Sequence, residues 1–304
     1  MTPITEVEGR RLALSNLDKV LYPDTGTTKG EVLHYYATVA GAMLPHLAGR
    51  PVSFLRYPDG PEGQRFFTKN PPPGTPAWVR TARVPRSEDQ RAEQVLVSGL
   101  ADLMWAANLV VEFHVPQWRA DRPALADRLV VDLDPGPPAT VVECCTAALW
   151  LRDRLAADGL TAFAKTSGAK GLHLSVPLRP TPSEEVSGYA KELAREAEAA
   201  LPELVVHRMA KALRPGKVFV DFSQNAAAKT TAAPYTLRAR PRPTASAPVD
   251  WAEVAACRDP EELVFLAPQV VARLERDGDL FAALTDPDGP VGELPSAAGR
   301  GGAP

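Results

Sequence analysis

The chain has 304 residues, 45% of them hydrophobic, enough to build a buried core in one large domain or two small ones. No apolar run reaches the roughly 18 residues of a membrane helix, and residues 1–11 are too polar for a signal peptide, so no membrane partner is expected. A net charge of −3 excludes a uniformly basic surface, and three cysteines without a CxxC pair exclude a disulfide framework or zinc knuckle and point to the cytoplasm.

Taken in chain order, Asn16 and Lys19 fall in a turn-like stretch before Tyr22, Thr25-Gly-Thr27 reads as a turn, and a helix is expected over 30–44 with Lys29 just before it. The 31 prolines gather at 71–76, 135–138 and 241–248, which marks these stretches as connections. Residues 128–133 form an apolar run of strand length. Thr140-Val-Val-Glu143 is a capping box that opens a helix through Leu155. Residues 161–165 and 171–178 read as strands. Ser183 is expected to cap a helix whose apolar positions Val186, Ala190, Leu193, Ala197 and Leu201 keep helical spacing until Pro202. Residues 217–222 form a further strand, 238–249 are expected to lead away from the core, and 251–284 read as helical.

This order predicts an α+β, mixed α/β fold with a central sheet flanked by helices. One domain is expected over 1–285, with an N-terminal part to about residue 115, a core over about 116–242 and a helical piece over about 250–285; residues 286–304, rich in Gly, Ala and Pro, are expected to be disordered. Charge is unevenly spread. Residues 207–242 hold eight Lys/Arg and one acid, net +7, whereas residues 250–304 hold four Arg and eleven acids, net −7. A positive groove can therefore hide in a neutral total; a solvated charged face would read the same.

Three groups of residues carry chemistry. In Leu129-Val-Val-Asp-Leu-Asp-Pro135 the strand alternation puts Asp132 and Asp134 on one face, two residues apart. Two carboxylates at that spacing repel unless a cation lies between them, and Mg²⁺ or Mn²⁺ takes such oxygen ligands together with phosphates. An acidic turn at a strand end would look alike. Thr166-Ser-Gly-Ala-Lys-Gly-Leu-His173 joins two strands, and its backbone N–H groups with Ser167 and Lys170 can cradle phosphate; it lacks Walker A spacing. His173 is expected on the polar face of the strand that follows. Asp221 ends the strand at 217–222, where a third metal ligand could meet the first two, with Arg214, Lys229 and Arg238 around it in sequence. Together these suit metal-dependent phosphoryl transfer.

These residues, with Leu14-Ser-Asn-Leu-Asp-Lys-Val-Leu-Tyr-Pro23, Arg65-Phe-Phe-Thr-Lys69, Ala107-Asn108, Glu112-Phe-His114, Asp121-Arg-Pro123 and Asp221-Phe-Ser-Gln-Asn225 through Pro234, resemble the polymerase domain of bacterial ligase D, an end-joining branch of the archaeo-eukaryotic primase superfamily. The resemblance spans about 14–239. It implies a primase-like fold and a template-directed polymerase that prefers ribonucleotides. Asp132, Asp134 and Asp221 match its metal triad for two divalent ions, Mn²⁺ or Mg²⁺. Ser167, Lys170, His173, Arg214 and Arg238 match nucleotide-phosphate contacts, and His114 and Gln224 lie near the incoming nucleotide. Phe66 and Phe67 match base-stacking aromatics, of which one is expected in the core, and Lys69 adjoins them on the DNA side. Asn16, Lys19 and Lys29 match a pocket for the 5′-phosphate beyond a gap or break, with a helix N-terminus as part of the site.

The resemblance also implies the partners: gapped or broken DNA with a 5′-phosphate, an NTP or dNTP, and a nucleoid-associated setting. No ligase or nuclease segment is read here, so a separate DNA ligase and a Ku-like end-binding protein are expected. The chain departs from the family at Val115-Pro-Gln-Trp-Arg119 and at Ala226-Ala-Ala-Lys229, both near template and primer. Two other readings stay open: a metal-dependent phosphatase-like phosphotransferase, and a non-catalytic DNA-end-binding module.

Overall fold

The computed structural model describes residues 4–85 and 90–295. Two hairpins, β1 (Ile4–Val7) with β2 (Arg10–Ala13) and β3 (Val20–Tyr22) with β4 (Thr27–Thr28), lead into helix α1 (Lys29–Leu47). Its N-terminus is set by a capping box between Thr28 and Glu31. Its buried side, including Tyr36, Val39 and Met43, packs with α2 (Leu100–Asn108) over a first sheet. That sheet contains β5 (Pro51–Arg56), β6 (Phe66–Thr68), β7 (Thr81–Pro85), β8 (Arg91–Leu96), β9 (Val111–Val115) and β15 (Thr231–Ala232), in the order β15-β9-β5-β8-β7 with β6 also on β5.

The second sheet is built from β10 (Leu125–Pro135), β11 (Phe163–Thr166), β12 (Leu172–Pro182), β13 (Val205–Val206), β14 (Val218–Asp221) and β16 (Pro248–Val249). Its order is β13-β14-β10-β12-β11-β16, antiparallel except for β13 with β14. Helices α3 (Val141–Ala157), α4 (Ser183–Ala200) and α5 (Trp251–Ala256) contribute to its own hydrophobic core, while α6 (Ala267–Asp277) packs on the first core. Leu129, Val131 and Leu133 from β10 meet Leu172, Leu174 and Val176 from β12 in that second core. Burying a side chain of this kind is worth about 1.5–3 kcal/mol. The same alternation turns Val130, Asp132 and Asp134 to the opposite face.

The mixed helix-and-sheet architecture and the capping box at Thr140 and Glu143 match the sequence reading. Five details differ. Ser183 is the first residue of α4 rather than its cap; its hydroxyl donates to Ala124 O at 2.9 Å. Helix α1 begins at Lys29, which is buried, and not at Gly30. His173 lies on the polar face expected of it, but that face is covered, and His173 and Ser175 are both buried. The segment expected to lead away from the core runs through it: Ala239, Ala245 and Ala247 are buried in the first core, where their small side chains let the backbone pass. The start of the expected disordered tail lies along β12, where Gly292 N donates to Pro177 O and Arg179 N donates to Gly292 O. Residues 296–304 lie outside the described residues.

Candidate active site

Strand register, rather than any loop, assembles the centre. Asp221 on β14 is the direct cross-strand partner of Asp132 on β10. Asp132 is in turn opposite His173 on β12, and His173 is opposite Lys165 on β11. Four polar side chains therefore form one row across four strands, all buried. Asp134 stands two residues along the same face, at the solvent edge.

The electrostatics of this row are unbalanced. Like charges directly opposite in a sheet repel. Desolvation, and then the neighbouring Asp132 and Asp221, push the Asp134 carboxyl up to about 7. Burial opposes the charge of Asp132 as well, but the facing His173, whose Nε2 lies 3.3 Å from Asp132 Oδ1, outweighs it and holds that carboxyl below its ordinary value. Asp221 is fixed by its neighbours: Oδ1 accepts from Ser223 N at 2.9 Å and Ser223 Oγ at 2.6 Å, and Oδ2 accepts from Gln224 Nε2 at 2.9 Å.

A divalent cation suits this donor set. The ligands are all carboxylate oxygens, one of them retains a proton near neutral pH without a counter-charge, and each carboxylate has lone pairs beyond its present hydrogen bonds. Among the described residues, no three acids, histidines or cysteines already stand at coordinating separations. Closing the triad on a cation thus requires side-chain rotation.

The 166–173 loop differs from the cradle expected of it. The amides of Ala169, Lys170 and Gly171 all donate to Ser167 Oγ, at 3.2, 3.2 and 3.1 Å, so they are turned inward. The hydroxyl that gathers them keeps its own hydrogen as a donor, and Lys170 projects exposed from the tip. Gly171 is required here, since a Cβ would come within 1.8 Å of Leu133 O. A cleft of about 370 Å³ beside this loop is lined by Pro135, Thr140, Lys170 and Phe265, and the three carboxylates are outside its lining.

Arg238 joins the two sheets. Its Nε donates to Glu112 Oε2 on β9 at 2.9 Å and its Nη1 donates to Ser167 O. Glu112 also accepts from Ala239 N at 2.6 Å and pairs with His114 Nε2 at 3.0 Å. Burial opposes its charge, yet the His114 hydrogen bond and the Arg238 guanidinium hold it down at about 2. Arg214 lies over the Phe219 ring, 3.6 Å from the centroid, and donates to Met209 O at 3.0 Å. Gln224 acts on Asp221 rather than standing open to a ligand.

Phe66 and Phe67 are 45% and 54% exposed, so neither is a core residue as one was expected to be. Phe67 meets the His114 ring edge-on at 6.0 Å. Lys69 Nζ donates to Ala228 O at 2.7 Å. Lys19 and Lys29 form a further cluster: Lys29 N donates to Lys19 O at 2.8 Å, and burial, then the Lys19 charge, lower the Lys29 amine. Lys19 Nζ is held by Asp59 Oδ1 and Pro58 O, both at 2.8 Å. The exposed Asn16 takes a positive φ of 56° at the turn below them. The helix N-terminus does not supply free amides as expected: those of Lys29, Gly30 and Glu31 bond Lys19 O, Leu17 O and Thr28 Oγ1.

Glu112 and Lys165 are the residues that the sequence reading did not place in the site. Glu112 had a signal, an acid two residues before His114 on one strand face. Lys165 had none, because its partner Ser246 is 81 residues away.

Comparisons with known proteins bear on the family and the fold. A family model described as the LigD primase-polymerase domain matches residues 28–281. The multifunctional non-homologous end joining DNA repair protein LigD of Mycobacterium tuberculosis H37Rv is 43% identical over 293 residues, covering 93% of this chain and 38% of that protein. The bifunctional LigD of Bacillus subtilis is 32% identical over 276 residues, covering 89% and 44%. The chain thus spans about two fifths of the length of these curated relatives. A solved structure, the polymerase domain from Mycobacterium tuberculosis ligase D in complex with DNA, superimposes with a TM-score of 0.85 at 43% identity, covering 90% of this chain and 98% of that one.

Proposed function

This chain belongs to the LigD primase-polymerase family, and from that premise we propose that it is a template-directed nucleotidyltransferase of DNA repair, adding nucleotides to a primer 3′-hydroxyl at gaps or broken ends. The observation that carries the reading is the register that sets Asp221 opposite Asp132 with Asp134 on the same face, its carboxyl pushed up to about 7. Asp132, Asp134 and Asp221 would hold two divalent ions, Mg²⁺ or Mn²⁺, which supply activation of the hydroxyl and neutralisation of the leaving pyrophosphate.

The chain's own residues do the rest. Lys170, Arg214 and Arg238 neutralise the triphosphate, with Ser167 donating to its oxygens and His173 lining the same site beside Asp132. His114, braced by Glu112, faces the sugar, and a preference for ribonucleotides is assigned to that contact. The exposed rings of Phe66 and Phe67 stack on bases, a grip that tolerates sequence. Gln224 steadies Asp221.

DNA carrying a 5′-phosphate is the proposed substrate, with Asn16, Lys19 and Lys29 as its phosphate pocket and Lys69 on the DNA side. A DNA ligase and a Ku-like end-binding protein are the proposed partners, in the cytoplasm at the nucleoid. The described residues contain no helix long and apolar enough to cross a membrane. The division into an N-terminal DNA-binding part to about residue 115, a core to about 242 and a helical piece to about 285 is retained as one functional unit.

Extension of a gapped duplex with Mn²⁺ or Mg²⁺, using each nucleotide type, tests the proposal. Template-directed addition that is lost in Asp132→Ala supports it. No addition under any of these conditions overturns it, and phosphate release from simple esters would favour a phosphatase instead.

A further inference from the structure

Lys165 is buried at 3% exposure, and no ion pair to it is described among the described residues. A buried amine whose carboxylate attraction, to Asp132, acts beyond ion-pair distance costs stability, which sets this residue apart from a packing side chain. Its Nζ is 3.0 Å from His173 Nδ1 and 2.5 Å from Ser246 Oγ. Ser246 is itself fully buried and anchored by its backbone, with its N donating to Thr236 O and its O accepting from Tyr235 N. The Ser246 hydroxyl lies 2.9 Å from Thr166 O, a carbonyl that can only accept, so its hydrogen is committed there and its lone pairs face Nζ. A lysine amine carries at least two hydrogens in either charge state. One meets Ser246 Oγ, and another meets His173 Nδ1, which must be the accepting nitrogen because Nε2, facing the Asp132 carboxylate, carries the ring's hydrogen.

We propose that Lys165 is a positioning residue for nucleotidyl transfer: gripped by Ser246, it makes Nδ1 of His173 the acceptor and so turns a hydrogen-bearing Nε2 toward Asp132. The proposal rests on Asp132 being a carboxylate of the nucleotidyltransferase site. The strand register supports it, because Lys165, His173 and Asp132 are successive cross-strand partners. Nε2 is 3.3 Å from Asp132 Oδ1. In the other tautomer a bare lone pair would point at that carboxylate, and the two would repel. The carboxylate thus favours a hydrogen-bearing Nε2, and the amine donating to Nδ1 from behind secures that tautomer and stops the ring from turning. Partners behind a site histidine have this effect elsewhere, and losing them typically costs about 10–100-fold in activity.

The test is nitrogen NMR of the imidazoles in the whole protein, read beside primer extension. There are five histidines, so His173 is assigned by comparison with His173→Gln. In the wild type, Nδ1 of His173 is expected to resonate as a bare, accepting nitrogen and Nε2 as a hydrogen-bearing one. Lys165→Met keeps the chain length and removes the donor. It is expected to erase that signature and to lower kcat for nucleotide addition about tenfold or more, with DNA affinity unchanged. Ser246→Ala, a smaller change, is expected to shift both readouts in the same direction, and it decides the matter should Lys165→Met not fold. A wild-type His173 signature in the variants, or a lost signature with kcat within about threefold of wild type, overturns the proposal. A wild type that extends no primer overturns instead the function on which it rests, and that is seen before any variant is made.

Discussion

Asp132 and Asp221 face each other directly across an antiparallel strand pair, a placement that a sheet stabilised only by its own side chains would avoid. The repulsion is transmitted to Asp134, whose carboxyl rises to about 7, first through desolvation and then through its two neighbours.

A stability consequence follows with a definite sign. Asp134 has a folded-state value above the ordinary carboxylate value of about 3.9. The stability linked to its protonated form is therefore fully present below about pH 4 and is lost as pH rises through about 7. In EDTA at pH 8, Asp134→Asn should melt at a higher temperature than the wild type, and the gap should narrow as pH falls below 7 and close below about pH 4. Thermal melts across that range check it. A variant less stable at pH 8 would mean that Asp134 is not under this strain. The same variant should lose nucleotide addition.

Glu112→Gln should leave the fold and DNA binding in place but raise the nucleotide KM about tenfold. It keeps an acceptor for Ala239 N while removing the charge that fixes Arg238 and His114. A charge-assisted hydrogen bond is worth about 1.5–3 kcal/mol, which sets that size. Steady-state kinetics with each nucleotide would measure it. An unchanged KM would place the Glu112 cluster outside the nucleotide site.

Two glycines should respond in opposite directions. In Gly171→Ala the new methyl meets Leu133 O, backbone beside the carboxylates, so both Tm and activity should fall. In Gly188→Ala, inside α4, nothing lies within 4 Å of the added carbon. That variant should gain about 0.5–1 kcal/mol in a urea titration, with activity intact.

Alanine at Phe66 and Phe67 should leave the melting temperature close to wild type, because both rings are already exposed. DNA affinity should fall by about 1–3 kcal/mol for each ring that stacks on a base. Fluorescence anisotropy with a gapped duplex reads the loss; a drop in Tm without one would return these rings to a packing role.

Lys19→Ala and Lys29→Ala together should abolish discrimination between 5′-phosphate and 5′-hydroxyl in otherwise identical gapped duplexes. A terminal phosphate carries nearly twice the charge of a diester, so the wild-type preference should weaken as salt rises. Because Asp59 holds Lys19 in the free protein, Asp59→Asn should strengthen phosphate binding. Equal wild-type affinities for the two duplexes would eliminate the pocket.

Period and capping made the elements around Asp132 and α3 legible in the sequence, since both depend on residues within a few positions of each other. Asp132, Asp134 and Asp221 could be nominated as strand-end acids, but their convergence depends on β10 and β14 pairing across the 82 residues between Pro135 and Val218. The Ser183 cap was misread because the hydroxyl found a tertiary acceptor, Ala124 O. Phe66 and Phe67 were misjudged because a hydrophobic pair has no local mark that separates packing from display. The connection over 238–249 was misread because proline density marks irregular backbone, and irregular backbone can still be buried when, as with Arg238 N and Thr244 O, it bonds to itself.

The seam spanned by Arg238 has one further consequence. Glu112 and His114 stand on the first sheet and the three aspartates on the second, so the width of the proposed nucleotide slot is a distance between two bodies with separate hydrophobic cores. Either body can be strained without its own core opening, and the displacement then appears at the slot. In the proposed polymerase a mispaired nucleotide that wedges the sheets apart would pull on the Arg238 guanidinium while Arg50 and Asp127 hold the sheets together elsewhere, which makes accuracy a matter of mechanical stiffness at that joint as much as of hydrogen bonding to the base.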